Sequence, residues 1–180
     1  MSTIQQKCHR IRLLFQAIFV LVPIMVCYYW ATVNTAYGAP LTLIAFTETI
    51  ADYTHMPLST TTRFFAALGS LLLCSIIMYA LTVLIRLFRN YEHNDIFTLD
   101  NALSYQKLGK SVFYWVGGSI VYSTYISVVL SFNNPPGERL VVVGFNGVDA
   151  ATVLLGFIIL IIAWVMKEGY RLADEQRHTI

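Results

Sequence analysis

FFAALGSLLLCSIIMYALTVLI, residues 64–85, carries no Asp, Glu, Lys, Arg or His. A helix needs about 20 mostly apolar residues to cross the hydrocarbon core of a bilayer. This stretch meets that length. Residues 13–33, 111–132 and 150–166 are likewise free of charge. The last run is short and is expected to gain a turn by snorkelling of Lys167. The runs are continuous rather than alternating, which fits helices and not the strands of a barrel. The fold class expected is an all-α membrane protein with four transmembrane helices. Its spans are placed at 13–33, 64–89, 111–132 and 149–168, in a single domain covering 1–180.

Composition agrees. Of the 180 residues, 57% are hydrophobic and 12% charged, against roughly 25% charged in soluble domains. So apolar a chain must bury itself, which excludes disorder. A formal net charge of +2 gives no electrostatic footprint for nucleic acid, so no direct nucleic-acid binding is expected.

Lys and Arg set the direction. Lys7, Arg10 and Arg12 precede span one. Arg86, Arg89, Lys107 and Lys110 lie between spans two and three, and Lys167, Arg171 and Arg177 follow span four. Only Arg63 and Arg139 fall on the other side. The positive-inside rule then puts both termini in the cytoplasm, N-in and C-in. The outer loops are 34–63 and 133–149, and the cytoplasmic tail is 167–180. Tyr28, Tyr29 and Trp30, and at the inner ends Tyr114, Trp115 and Trp164, are expected at the headgroup level. The first apolar run is longer than a usual signal-peptide core, which argues against cleavage.

Lipid tails are as apolar as leucine, so close approach at small residues must hold such helices together. Ser119, Ser123, Ser127 and Ser131 recur every four residues, as do Ala66, Ser70 and Cys74. Both stripes are expected to face other helices. The candidate helix-packing residues are Ser70, Cys74, Ser119, Ser123 and Ser127. Pro23 is expected to kink span one. Cys8, Cys27 and Cys74 form no disulfide framework.

The connections carry their own signals. Leu41, Ile44 and Ala45, with Glu48 and Asp52 further on, suggest an interfacial helix lying on the bilayer. A lone His55 has no second ligand at metal spacing. Asn133-Asn134-Pro135-Pro136-Gly137 stops span three. Leu140 to Val143 suggests a short strand, and Asp149 an N-cap for span four. Thr98 is a good N-cap for a helix running to Phe132, with Asp100 in its first turn. Such a helix is about 52 Å long, well beyond the roughly 30 Å hydrocarbon core. A cytoplasmic helical hairpin over 86–110 is therefore expected between spans two and three, unless Gly109 breaks it. The tail can continue span four as helix, with Arg171 placed to pair with Glu168, Asp174 and Glu175. The expected docking surface is made by Arg89, Asp95, Phe97 and Thr98 of the hairpin with Glu168, Arg171, Asp174 and Glu175 of the tail.

Three stretches carry a resemblance: LFRNYEHNDIFTLDNA (87–102), NNPPGERL (133–140) and VMKEGYRLADEQ (165–176). In order and separation they resemble the bacterial domain-of-unknown-function family 2975, small four-span membrane proteins. The pattern is Phe88-Arg89, then Asp95-Ile96-Phe97-Thr98, then Glu168 with Asp174-Glu175. Asn101 departs from it, standing where the family commonly has an acidic residue. A weaker capping box and a frayed helix start are expected there. The resemblance implies a protein of the bacterial inner membrane and assigns no reaction. It also implies a cytoplasmic partner such as a small helix-turn-helix regulator.

The four uncharged runs carry no Asp, Glu, Lys, Arg or His, which argues against an ion-coupled carrier. His-Glu-x-x-His, P-loop and nucleophile-elbow motifs are absent from the sequence. Glu92, His93 and Asp95 read as solvated charge on a turn. No enzyme activity, cofactor or metal is expected. The function expected is a regulatory or interaction protein, embedded in the lipid bilayer and binding a soluble cytoplasmic protein. The alternatives are a passive transporter, pore or lipid-handling protein, and an accessory subunit bound to other membrane subunits.

Overall fold

A computed structural model describes residues 3–33, 35, 46, 50, 53–54, 57–93, 98–145 and 147–178. The described residues form four α-helices: α1 (Thr3–Thr32), α2 (Thr60–Glu92), α3 (Leu99–Ser131) and α4 (Gly147–His178). All four are long and apolar enough to cross a membrane, which makes this a multi-pass membrane protein. No strand forms among the described residues.

Local chemistry sets the helix starts. Ser59 Oγ accepts the Thr62 amide at 3.1 Å, and Thr98 Oγ1 accepts the Asn101 amide at 3.3 Å. Each satisfies one of the donors that a helix start leaves unpaired. The expected fraying at Asn101 does not occur. Asn101 is fully buried, and its Oδ1 accepts from Asn90 Nδ2 at 2.8 Å. An acidic residue there would be a buried charge. Asp149 lies inside the first turn of α4 rather than at its cap. Helix α1 continues through Pro23, and α3 continues through Gly109.

The chain divides into two compact units. Unit one comprises Met1–Phe19, Ile77–Tyr114 and Gly147–Ile180. Its core is Val83, Leu87 and Leu108, packed with Tyr91, Tyr105 and Ile159. The end of α2 and the start of α3 run antiparallel here. Arg86 bonds Asp100 at 2.8 Å, and the Tyr91 and Tyr105 hydroxyls meet at 2.9 Å. Gly109 is a contact point rather than a break. A Cβ added there would lie 2.6 Å from Leu160 Cδ2. Gly156 likewise receives Phe113 and Val112, and Phe113 packs edge-on to Phe157 at 5.0 Å. Small residues thus bring α3 and α4 close, the packing that lipid-embedded helices depend on.

Unit one also holds an ion cluster around Glu92, a residue expected to be solvated charge on a turn. Arg12 Nε of α1 lies 3.0 Å from Glu92 Oε1 of α2, and the Glu92 side chain is only 10% exposed. His9 Nδ1 lies 3.3 Å from Glu92 and 3.3 Å from Arg12 Nη2. A neutral ring accepts from Arg12; a ring protonated on that nitrogen faces Glu92 instead.

Unit two comprises Val20–Ile76 and Trp115–Asn146. Its core includes Val26, Trp30, Ala66, Leu73, Ile126 and Leu130. Trp30 is 1% exposed, so it is a core residue and not the headgroup anchor expected. Ser70, fully buried, gathers three groups. It receives the Trp30 Nε1–H at 2.8 Å, meets the Tyr122 hydroxyl at 2.7 Å, and donates to the Ala66 carbonyl at 2.9 Å. A serine has one hydrogen to give, so Tyr122 is the donor in its pair.

Ile50 and Tyr53, from the first connection, are buried in this core, and Phe46 packs against Trp115 at 5.4 Å. These residues join the protein interior instead of lying on the bilayer. Leu41, Ile44, Ala45, Glu48, Asp52 and His55 lie outside the described residues, as do Asp95 and Phe97 of the hairpin. Asn133 and Asn134 do more than end α3. Asn134 Nδ2 donates to Tyr53 O at 2.9 Å, and its Oδ1 accepts from Thr54 at 2.7 Å. Asn133 Oδ1 accepts from Thr62 at 3.1 Å. The pair stitches the two connections of this unit together. Gly137, at φ 105°, completes the turn in which the Glu138 amide donates to Pro135 O at 3.1 Å; only glycine adopts that φ freely.

The serine stripe differs from expectation. Its outer members face an extended chain segment, not a helix. Ser131 Oγ donates to Leu140 O at 3.1 Å. The Val142 amide donates to Ser127 Oγ at 3.0 Å, and Gly144 lies against Ser123. Residues 140–143 therefore form no strand. Hydroxyls of α3 take the place of a neighbouring strand, one serine for every two residues of extended chain. Ser119 lies further along α3 and donates to its own helix at Val116 O, 2.8 Å.

Candidate docking site

The candidate site lies in unit one, where α3 begins and α4 ends. Leu99 of α3 and Trp164, Lys167, Glu168, Tyr170, Arg171 and Asp174 of α4 line a cleft of about 330 Å³. The helix period explains the grouping. Positions 164, 167, 168, 171 and 174 recur at three and four residues, the spacing of one helical face. Thr98, as cap, fixes where Leu99 enters the cleft. Leu99 is 40% exposed and Trp164 66%.

Electrostatics order the rim. Arg171 Nη2 bonds Glu168 Oε1 at 3.0 Å, and Arg171 Nε lies 3.4 Å from Glu175 Oε1. Such exposed pairs contribute only about 0.2–0.5 kcal/mol each. Their effect is to hold the guanidinium in place between carboxylates. Between α2 and α3, Arg86 and Asn90 hold Asp100, with Asn90 Nδ2 at 3.0 Å. Asp100 thereby fixes the first turn of α3 that carries Leu99.

Of the residues expected to form a docking surface, Glu168, Arg171 and Asp174 come together at the cleft. Glu175 joins through Arg171, and Thr98 adjoins Leu99. Arg89 is exposed on α2 and does not line the cleft. Its carbonyl accepts from His93 Nδ1 at 2.8 Å. Leu99, Lys167, Tyr170 and Trp164 also line the cleft and are not among the residues expected to dock; Trp164 is expected at the headgroup level, and its exposure agrees with either place. The signal was available in the spacing of Trp164, Lys167, Glu168 and Arg171. Among the described residues no group of His, Cys, Asp and Glu is arranged to hold a metal ion.

The family described as "Protein of unknown function (DUF2975)" matches residues 45–180. The chain belongs to this family. The match takes in α2, α3 and α4 whole, including every residue that lines the cleft. No curated protein and no solved structure matches the chain.

Proposed function

We propose that this DUF2975 protein is a non-enzymatic interaction protein of the bacterial inner membrane, with both termini in the cytoplasm. A soluble partner docks on the cleft between α3 and α4. One observation carries the reading. Past Met166, the last residue of its uncharged run, α4 continues as helix to His178, about 18 Å at 1.5 Å per residue. The face it presents there carries Lys167, Glu168, Tyr170, Arg171 and Asp174, and the exposed Trp164 stands one turn before it, inside the uncharged run. Trp, Tyr and Arg are the residues that most often dominate binding energy at protein interfaces. The excess of Lys and Arg on this side supports a cytoplasmic placement. A small helix-turn-helix regulator is the class of partner that the family resemblance suggests. An accessory role, with a membrane subunit on the same surface, makes the same demand on these residues.

Purification of tagged protein from native membranes tests the reading. A soluble protein that co-purifies with wild type, is lost with Trp164→Ala and Arg171→Glu, and is kept with Leu21→Ala supports it. An unchanged set of co-purifying proteins in all four contradicts it.

A second reading, a passive path for a solute, is favoured by the segment at 140–144. Non-helical backbone at membrane depth is tolerated where it is buried in protein or lines water. Ser123→Leu and Ser127→Leu would then abolish a flux in liposomes while the protein still folds.

A further inference from the structure

Unit two carries a second concavity, unrelated to the docking cleft. Leu68, Leu72 and Ile76 of α2 and Gly117, Val121 and Tyr125 of α3 bound a groove of about 460 Å³. No charged residue lines it. Its two phenols are already committed. Tyr122 bonds Ser70, and Tyr125 donates to Phe65 O at 2.9 Å. The groove thus asks for no hydrogen bond from whatever fills it. Its glycines differ in role. A Cβ on Gly118 would lie 2.8 Å from Ile76 Cδ1, and one on Gly69 would strike the Tyr125 ring. Gly117 is different: a Cβ there meets nothing within 4 Å. Gly69 and Gly118 bring the helices together, and Gly117 leaves the floor open.

We propose that this groove binds one acyl chain of a membrane lipid. Both helices that form it are long and apolar enough to cross a membrane, so hydrocarbon is the medium around it. A protein helix fits poorly. With side chains it is about 10 Å across, so a single 5.4 Å turn fills roughly 420 Å³, nearly the whole groove. A stable protein interface takes roughly 20–30 residues a side, and ten residues line this groove. A hydrocarbon chain is slender, carries no polar group and lies lengthwise between the two ridges of large side chains. Hydrophobicity does not drive it there from lipid. The drive is dispersion contact with walls that would otherwise lack a neighbour.

Photolabelling tests this. The full chain is reconstituted in vesicles of phosphatidylethanolamine and phosphatidylglycerol carrying a trace of phospholipid with a diazirine in its acyl chain, then irradiated and mapped by mass spectrometry. Adducts are expected to concentrate on residues 68–76 and 117–125, several-fold above the exposed apolar residues Leu154, Ile158 and Ile161 of α4. Gly117→Phe should lower groove labelling to the α4 level, and Gly117→Ala should leave it unchanged. Gly117→Leu serves as a milder filler if the Phe variant melts early. Even labelling over all apolar faces, groove labelling unaffected by both fillers, or crosslinks between copies at the groove in place of lipid adducts would each overturn the proposal.

Discussion

The indole N–H of Trp30 donates to the Ser70 hydroxyl at 2.8 Å, across 40 positions of sequence. With the Tyr122 hydroxyl on the same oxygen, this one serine ties α1, α2 and α3 together inside unit two. Ser70→Ala takes the acceptor from the buried Trp30 N–H and breaks the bond to the Tyr122 hydroxyl. An unsatisfied buried polar group costs about 1–3 kcal/mol. The variant is expected to lose stability by that order in a denaturant titration, and Trp30→Phe by less than the double loss.

Arg12 and Glu92 form an ion pair that is mostly shielded from water. Arg12→Ala leaves the mostly buried carboxylate with only His9 beside it; removing one partner of a fully buried pair costs about 3 kcal/mol or more, so a smaller loss, of about 1–3 kcal/mol, is expected. The combination of Arg12→Met and Glu92→Leu is expected to restore most of the loss, since an apolar pair has no desolvation cost. Melting temperatures of the single and double variants check this.

Ser127 accepts the Val142 amide. In Ser127→Ala that amide loses its partner, and hydrogen exchange at Val142 is expected to speed up by a factor of ten or more, matching about 1.4 kcal/mol or more of lost protection. Exchange in the helical part of α4 should not change. Unaltered exchange at Val142 would mean that the serine does not anchor the segment.

Gly109 sits against Leu160. Gly109→Val is expected to destabilise by about 1–3 kcal/mol through overpacking. Adding Leu160→Ala should recover part of it, because the clash is with the end of that side chain. A thermal unfolding series of the two singles and the double measures the coupling.

The four spans were legible because an uncharged run is a local signal that needs no partner to interpret. The Thr98 cap was legible for the same reason: Asn101, whose amide it receives, is three residues on. What the sequence hid depends on pairs that the fold brings together. Asn133 and Asn134 read as turn formers, and their partners Thr62 and Thr54 lie 71 and 80 positions away. Trp30 read as a headgroup anchor, since nothing local marks Ser70 as its acceptor. The serine stripe gave the right face of α3 and the wrong neighbour. Small residues permit close approach without stating whether a helix or an extended chain makes it. Glu92 read as solvated because Arg12 is distant in sequence. At the cleft, the charges of the tail were legible by their spacing, whereas Trp164 read only as a headgroup ring, although its spacing from Lys167, Glu168 and Arg171 puts it on the same helix face.

The most direct measurement replaces Leu99, on the cleft, with a photocrosslinking amino acid in native membranes, and compares it with the same replacement at Leu154. A soluble protein captured from position 99, absent from position 154 and lost on adding Arg171→Glu, is the expected result. No protein captured from position 99, while a cysteine at that position reacts freely with a thiol reagent, would contradict a docking role for the cleft.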